Sequence, residues 1–404
     1  MGDNMDVAER IRTFNRDRLP EFLRLKYQAM YDDKYRFFRA TAHLFFEDIP
    51  KMSFLHSSPL VWICGDLHLE NYGSYKGDNR LAYFNVNDFD ECLLGPCLFD
   101  IVRMLCSIYV ASDNLHVSKK DADYLVQYYT DNYFNKLEQG YIRVLEKETA
   151  KGIMKKFLRE IEGRKRKKFL AKKTIIEKGR RKFKIDDNHL SRLSKTDKEQ
   201  LSSLYSKWAK SMPDAAFYRL KDIAFRIAGT SSLGLRRYAV LIEGYGSPDG
   251  NFLLDLKETR KSCVEKYIKV SQPSWQHEAH RITEVQRRVL SDPPALLDSL
   301  QLSNRNFVLK ELQPLADRID YGLFDGNLNK LKQMLENMSS IYAWSNLRSS
   351  GRQNSAVADE LIRFARNEKA MKKEVIRYAY TYTKTLSAYH QAFRKAFDKN
   401  YFKI

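Results

Sequence analysis

Apolar positions in residues 5–50 recur at helical spacing, with Leu19, Phe22, Leu23, Tyr27 and Met30 on one stripe and few Gly or Pro to interrupt it. The pattern then changes. PLVWIC (59–64) and RLAYFNV (80–86) are short β-prone runs separated by YGSYKGDN, which reads as a turn. After Pro96 the helical period returns through Phe99, Val102, Arg103, Leu105 and Cys106, and helix continues to about residue 160. Residues 216–257 hold two β-rich segments, a Gly/Ser turn before them and the loop GYGSPDGN between them, which predicts a β-hairpin. WQHEAHRITEVQRRVL (275–290) predicts a helix ending before Pro293-Pro294, and NFVLKEL (306–312) a last strand. From about 320 onward the chain reads as helices with aromatic stripes such as Tyr378, Tyr382, Tyr389 and Phe393, which are ordinary packing faces. No internal repeat is visible.

Composition narrows the class. A chain of 404 residues, 43% of them hydrophobic and 13% aromatic, is long enough for a large core and for two lobes. No run approaches the roughly 18 apolar residues of a membrane span. The charged N-terminus MGDNMDVAERIRTFNRD lacks a secretory h-region, and Asp6 stands where a myristoylation site wants Ser or Thr. Five cysteines, without a CxxC pair and mostly in apolar surroundings, read as reduced core thiols. Together these features predict a soluble, cytoplasmic protein with no transmembrane segment.

The net charge of +19 is concentrated in one place. Residues 151–184 carry 16 basic and 3 acidic side chains, hence +13. This stretch reads as an inserted basic helical arm or hairpin, continuing to about residue 213, with its densest clusters at Arg164–Lys168 and Arg180–Lys184. Such an arm suits nucleic acid, anionic lipid headgroups or an acidic protein, and reads equally as a solvated helix without a dedicated partner.

The chemistry gathers earlier. Asp66 directly follows a predicted strand, Asn71 comes five residues later, and a second strand ends at Asp88. Phosphoryl transfer needs this assortment: a carboxylate for the accepting hydroxyl, and an amide with a second carboxylate to hold Mg²⁺ against nucleotide phosphates. One His and no Cys–Cys or His–His pattern argue against zinc. Taken singly, each acid reads as well as a solvated loop residue, with an Asx-turn at Asp66 and a helix cap near Asp100.

The blocks GDLHLEN (65–71), NDF (87–89) and GPCLFDIVRML (95–105) resemble the catalytic loop, the metal-binding Asp and the following Asp-bearing helix of aminoglycoside phosphotransferases and choline kinases, which are protein-kinase-like folds. The chain is more closely similar to the bacterial domain of unknown function 2252 family, whose GD-x-H-x-x-N-x-G, NDFDE and GP-x-x-x-D blocks all stand here in order. The resemblance implies Asp66 as the catalytic Asp, Asn71 and Asp88 as Mg²⁺ ligands with Asp90 and Glu91 assisting, and Asp100 as a brace for the catalytic loop. Cys64 departs from the phosphotransferase pattern, where a His usually precedes the Gly-Asp.

A kinase-like site also needs a phosphate-binding turn and a Lys. RIAGTSSLGLRRYAVLIEG offers Gly229, Ser231, Ser232 and Gly234 as a turn whose backbone N–H groups approach phosphate oxygens. NFLLDLKE puts Lys257 in the position of the kinase strand Lys. The next helix offers Glu284 as its ion-pair partner, with Glu278 as second choice, and the strand through Glu311 to Gln313 would lie near an adenine. Each has a plainer reading, as a turn, an exposed strand charge or a surface helix residue.

These elements follow the catalytic block instead of preceding it, so the expected fold is α+β, two-lobed, protein-kinase-like and circularly permuted. Its parts are a mostly helical large lobe from 1–150 and 317–404, a basic helical insertion at 151–213, and a small β-rich nucleotide lobe at 214–316. The expected function is ATP- and Mg²⁺-dependent transfer of the γ-phosphoryl group to a hydroxyl of a protein, small-molecule or lipid acceptor. The alternatives are nucleotidyl transfer (AMPylation) on the same fold, and a non-catalytic nucleotide-binding protein whose basic arm binds nucleic acid or anionic membrane.

Overall fold

The helical stripe of the first fifty residues folds as α1 (Val7–Asn15), α2 (Pro20–Asp32), α3 (Lys34–Ala40) and α4 (Ala42–Asp48), followed by the short α5 (Ser53–His56). Local chemistry sets the breaks. The Asp6 carboxylate caps α1, Pro20 occupies the first turn of α2, and the Asp33 carboxylate accepts the Arg36 N–H at 2.7 Å to start α3. The computed structural model describes residues 6–51, 53–313, 324, 326–366 and 369–403.

Two small antiparallel ladders come next. β1 (Leu60–Ile63) pairs not with its neighbours β2 (Tyr72–Lys76) and β3 (Ala82–Val86), which pair with each other, but with β4 (Leu93–Pro96). The segment expected as a turn is thus mostly strand. Tyr72 and Tyr75 are buried, and their fit to a pleated surface outweighs the turn preference of Gly73 and Ser74, leaving the turn to 77–81. Then α6 (Cys97–Val110) runs through the core with every side chain buried but that of Tyr109, and α7 (Lys119–Gln139) packs beside it.

The basic segment is corrected in two respects. Only α8 (Gly152–Glu162) and α9 (Arg166–Lys173) are helical in its first half, and β5 (Thr174–Glu177) and β6 (Arg180–Phe183) then form a hairpin. The two-residue turn explains it. Lys178 and Gly179 both take positive φ, 48° and 74°, the twist that suits a tight hairpin and that Gly tolerates without strain. Nor does the inserted segment stay out of the core, because Met154, Leu158 and Ile161 of α8 enter it. β7 (Leu190–Ser191) edges the principal sheet, and α10 (Lys195–Ser211) covers one of its faces.

That sheet is six-stranded and antiparallel. It adds β8 (Leu220–Arg226), β9 (Arg237–Ile242), β10 (Phe252–Glu258), β11 (Asp298–Leu302) and β12 (Arg305–Glu311), in the order β11-β12-β10-β9-β8-β7, with α11 (Glu278–Val289) between β10 and β11. The alternation of FLLDLKE sorts its faces. Phe252, Leu254 and Leu256 pack with Tyr205, Ile223 and Val240 under α10. On the other face Leu253 and Leu241 meet Leu170 and Phe183 of the basic segment, while Asp255 and Lys257 continue toward the helical part of the molecule. The architecture is mixed α+β. The chain finishes with α12 (Leu328–Arg348), α13 (Ala358–Arg366) and α14 (Lys369–Asp398), which join the N-terminal helices in one core. The expected lobe boundary at 316/317 lies outside the described residues.

One buried carboxylate ties the elements near the site together. Asp100, in the first turn of α6, accepts the backbone N–H of Cys64 at 2.8 Å, that of Gly65 at 3.1 Å and the Tyr342 hydroxyl of α12 at 2.5 Å. Gly65 has no room for a side chain: its φ is +80°, and a Cβ would stand 2.1 Å from the Glu91 carbonyl oxygen. Asp100→Ala strands two buried N–H groups and a hydroxyl. It is expected to lower the unfolding free energy by about 3 kcal/mol in urea denaturation, and a loss below about 1 kcal/mol would exclude the bracing role.

Candidate functional site

With Cys64 and Gly65 pinned, the next residue is Asp66, and α6 supplies its partner. Arg103 lies three residues after Asp100, on the same helical face, and its Nε donates to Asp66 Oδ1 at 2.8 Å. The guanidinium is fully buried, lies over the Phe38 ring at 3.7 Å, and spends Nη2 on the Phe38 carbonyl oxygen. Asp66 Oδ2 has no partner among the described residues. Burial, against the pull of Arg103 and aided by the Glu91 and Asp88 charges, pushes the Asp66 carboxyl up to about 7.

A single amide then links the first acid to the second. Asn71 Nδ2 donates to the Asp66 carbonyl oxygen at 2.9 Å, and Asn71 Oδ1 accepts the Asp88 N–H at 2.8 Å. From the sheet, the Lys257 ammonium reaches Asp88 Oδ1 at 3.2 Å and Asp90 Oδ2 at 2.6 Å. Burial works against ionisation of Asp88, but Lys257 and Lys310 outweigh it and hold its carboxyl well below the usual range. Asp90, with burial and the Asp88 charge against it, is pushed up to about 6.

The charged face of the sheet closes the other side. Asp255 is buried between Arg237, which grips both its oxygens at 2.8 and 2.5 Å, and Arg226 at 2.8 Å. Lys310 donates to Asn87 Oδ1 at 3.1 Å, and burial pushes its ammonium down to about 8. Between this face and the Asp66–Asp90 loops lies a cleft of about 1020 Å³ of open space, rimmed also by Gly229, Ser231 and Ser232. It brings together side chains more than 150 residues apart in the chain.

The family described as uncharacterized protein conserved in bacteria (DUF2252) matches residues 18–396. The chain belongs to this family. No curated protein and no solved structure matches the DUF2252 chain.

Four candidate residues of the DUF2252 chain lie elsewhere. Glu284 pairs with Arg287 at 2.9 Å and Glu278 with Arg281 at 2.8 Å, so neither reaches Lys257. Helix α11 instead presents Ile282 and Gln286 to the cleft, and the Gln286 Oε1 is buried without a partner among the described residues. The stripe Ala279, Ile282, Val285, Gln286 and Val289 already carried that signal, since Glu284 falls on the opposite face. Glu311 turns to Arg80 at 2.6 Å, while Gln313 lines the cleft and accepts from Asn87 at 3.1 Å. Gly234 is outside the cleft lining, because a Cβ there would meet Arg18 at 2.7 Å. The period-two pattern of β12, which puts Lys310 beside Val308, likewise marks Lys310 as a cleft residue that motif reading missed.

Among the described residues, no group of three or more His, Cys, Asp or Glu side chains forms a ready-made metal site. A smaller oxygen set fits Mg²⁺. Asn71 Oδ1 keeps a lone pair after accepting the Asp88 N–H, and the Asp88 side chain is 45% exposed to the cleft. An amide oxygen and one or two carboxylates suffice where phosphates and water complete the octahedron. By ¹³C NMR of the Asp carboxyls, one group is expected to titrate near 7 and one near 6 while Asp88 stays ionised; Lys257→Met raises both Asp88 and Asp90. A Lys257→Met spectrum with unshifted carboxyls would contradict the ion pairs.

Proposed function

We propose that this DUF2252 chain is an ATP- and Mg²⁺-dependent phosphotransferase on a circularly permuted kinase-like fold, passing the γ-phosphoryl group to a hydroxyl of a protein or small molecule. The observation that carries the reading is the meeting of Lys257 with Asp88 and Asp90, in register with Asp66 through Asn71. The succession of a Gly/Ser turn between β8 and β9, a Lys on the third strand β10, helix α11 and the pair β11–β12 supports the kinase-like small lobe, displaced to follow the catalytic loop.

Asn71 and Asp88, with Asp90 at hand, would hold Mg²⁺, which would supply neutralisation of the phosphate charge. The chain's own residues do the rest. Asp66 Oδ2 is free to accept the hydrogen bond of an acceptor hydroxyl and take its proton, with Arg103 fixing the carboxylate through Oδ1. Lys257 is the ammonium placed to donate to a phosphate oxygen, exchanging its carboxylate partners for that contact.

A second reading, transfer of the nucleotidyl group, is favoured by one specific feature. Nucleotide-base pockets are mostly apolar, yet the sheet face beyond Lys257 carries Arg226, Arg237, Asp255 and Lys310. That surface suits phosphate oxygens better than a purine, and a nucleotide so reversed presents its α-phosphorus to the acceptor.

Incubation with Mg²⁺ and ATP labelled separately at the α- and γ-phosphate tests both, reading transfer to water and to the protein itself. γ-Label transfer is expected; α-label transfer would replace the first reading by the second, and failure to bind Mg²⁺-ATP would overturn both. Asp66→Asn should lower kcat by about 10² to 10⁴ with little change in nucleotide affinity. Because the base is the ionised form of a carboxyl raised to about 7, the rate should climb as pH rises through 7. Arg103→Met, by removing the charge that opposes the rise, should move that limb to higher pH.

A further inference from the structure

A second cavity, about 740 Å³ of open space, adjoins the cleft on the far side of Asp66. It shares Arg39, Asn71, Asp88, Asp90 and Ser231 with the cleft and extends toward the N-terminal helices, where its walls include Phe14, Arg18, Leu235 and Arg260. Its lining thus holds carboxylates and guanidinium groups together.

Arg18 is the unusual member. It is only 8% exposed, and its polar contacts are two carbonyl oxygens, those of Ser231 and Leu233, each at 2.7 Å from Nη1. Its Nε is buried with no partner among the described residues, and no carboxylate pairs with it. The four acids in the cavity are engaged elsewhere: Asp66 with Arg103, Asp88 and Asp90 with Lys257, and Glu91 with Ser262 Oγ at 3.0 Å and the Cys263 N–H at 2.6 Å. Burial and the nearby Arg260 charge, against the weaker pull of the Glu91 and Asp90 charges, push the Arg18 guanidinium down to about 10, so it remains cationic at neutral pH. Arg39, also lining the cavity and 8% exposed, pairs with Glu70 through Nη1 but leaves its own Nε buried with no partner among the described residues. Arg260 adds a third guanidinium, whose Nη2 goes to the Asp17 carbonyl oxygen at 2.6 Å. A buried cation without a counter-ion is costly, and a cavity lined by one is ready for an anion.

We infer that this cavity is the acceptor subsite, and that it takes a small hydroxyl-bearing molecule whose own anionic group, phosphate or carboxylate, sits against Arg18 and Arg260 while its hydroxyl faces Asp66. The inference rests on the phosphotransferase reading and adds the chemical class of the acceptor. Cationic and neutral acceptors are disfavoured, because either leaves Arg18 uncompensated.

Isothermal titration calorimetry with inorganic phosphate, acetate and glycerol, each with and without saturating Mg²⁺ and a non-hydrolysable ATP analogue, tests it. Phosphate or acetate should bind and glycerol should not; which anion binds more tightly tells a phosphorylated from a carboxylated acceptor. Binding should persist with the analogue present, and Arg18→Gln should weaken it at least tenfold. Since Arg18 also ties down the 231–233 turn, Arg260→Gln, altering a residue less buried than Arg18, is the second variant, with the same loss expected. Anion binding abolished by bound analogue would mean that nucleotide phosphates use these cations, and would overturn the inference, as would affinity unchanged in both variants. An analogue that fails to bind overturns the phosphotransferase reading itself, a result seen separately from the anion titrations run without it.

Discussion

Asp100 holds its place because it is surrounded. Its carboxylate takes two consecutive backbone N–H groups at the end of β1 and a tyrosine hydroxyl from α12, so three elements distant in sequence are tied by one buried acceptor. The effect propagates through hydrogen bonds. Pinning Cys64 and Gly65 aims Asp66; the Asp66 carbonyl fixes the Asn71 amide; and that amide's other end fixes the Asp88 backbone. Asp66 and Asp88 are thus each set by a bond to another block, the first through Asp100 and the second through Asn71.

The sheet answers this platform with charge. Its α10-facing surface is apolar, but the opposite face divides: its apolar part lies beneath the basic segment, and its ionic part forms a wall of the cleft. Lys257 crosses the gap to two carboxylates whose affinities for protons it helps to separate, one held ionised and the other raised. Groups so poised exchange partners readily when a ligand brings charge of its own.

Much of this was legible residue by residue. The GDLHLEN and NDFDE blocks mark one wall of the cleft, the third block braces it from behind through Asp100, and Lys257 stands where the kinase-like resemblance puts the strand Lys. Glu284 failed because a charge was chosen by type; the helical period of α11 puts Gln286, not Glu284, on the buried face. The basic segment failed differently. Its charge reads as an inserted helical arm or hairpin, whereas Met154, Leu158 and Phe183 bury their side chains while the neighbouring lysines extend into water.

Family membership, the α+β class and the order of the blocks were determined by sequence alone, because motif spacing and hydrophobic period are properties of neighbouring residues. The partners of Lys257, the uncompensated charge of Arg18 and the second cavity beside Asp66 were decided only by the tertiary structure. Each depends on side chains brought together from segments up to more than two hundred residues apart, and a linear pattern says nothing about which buried charge meets which.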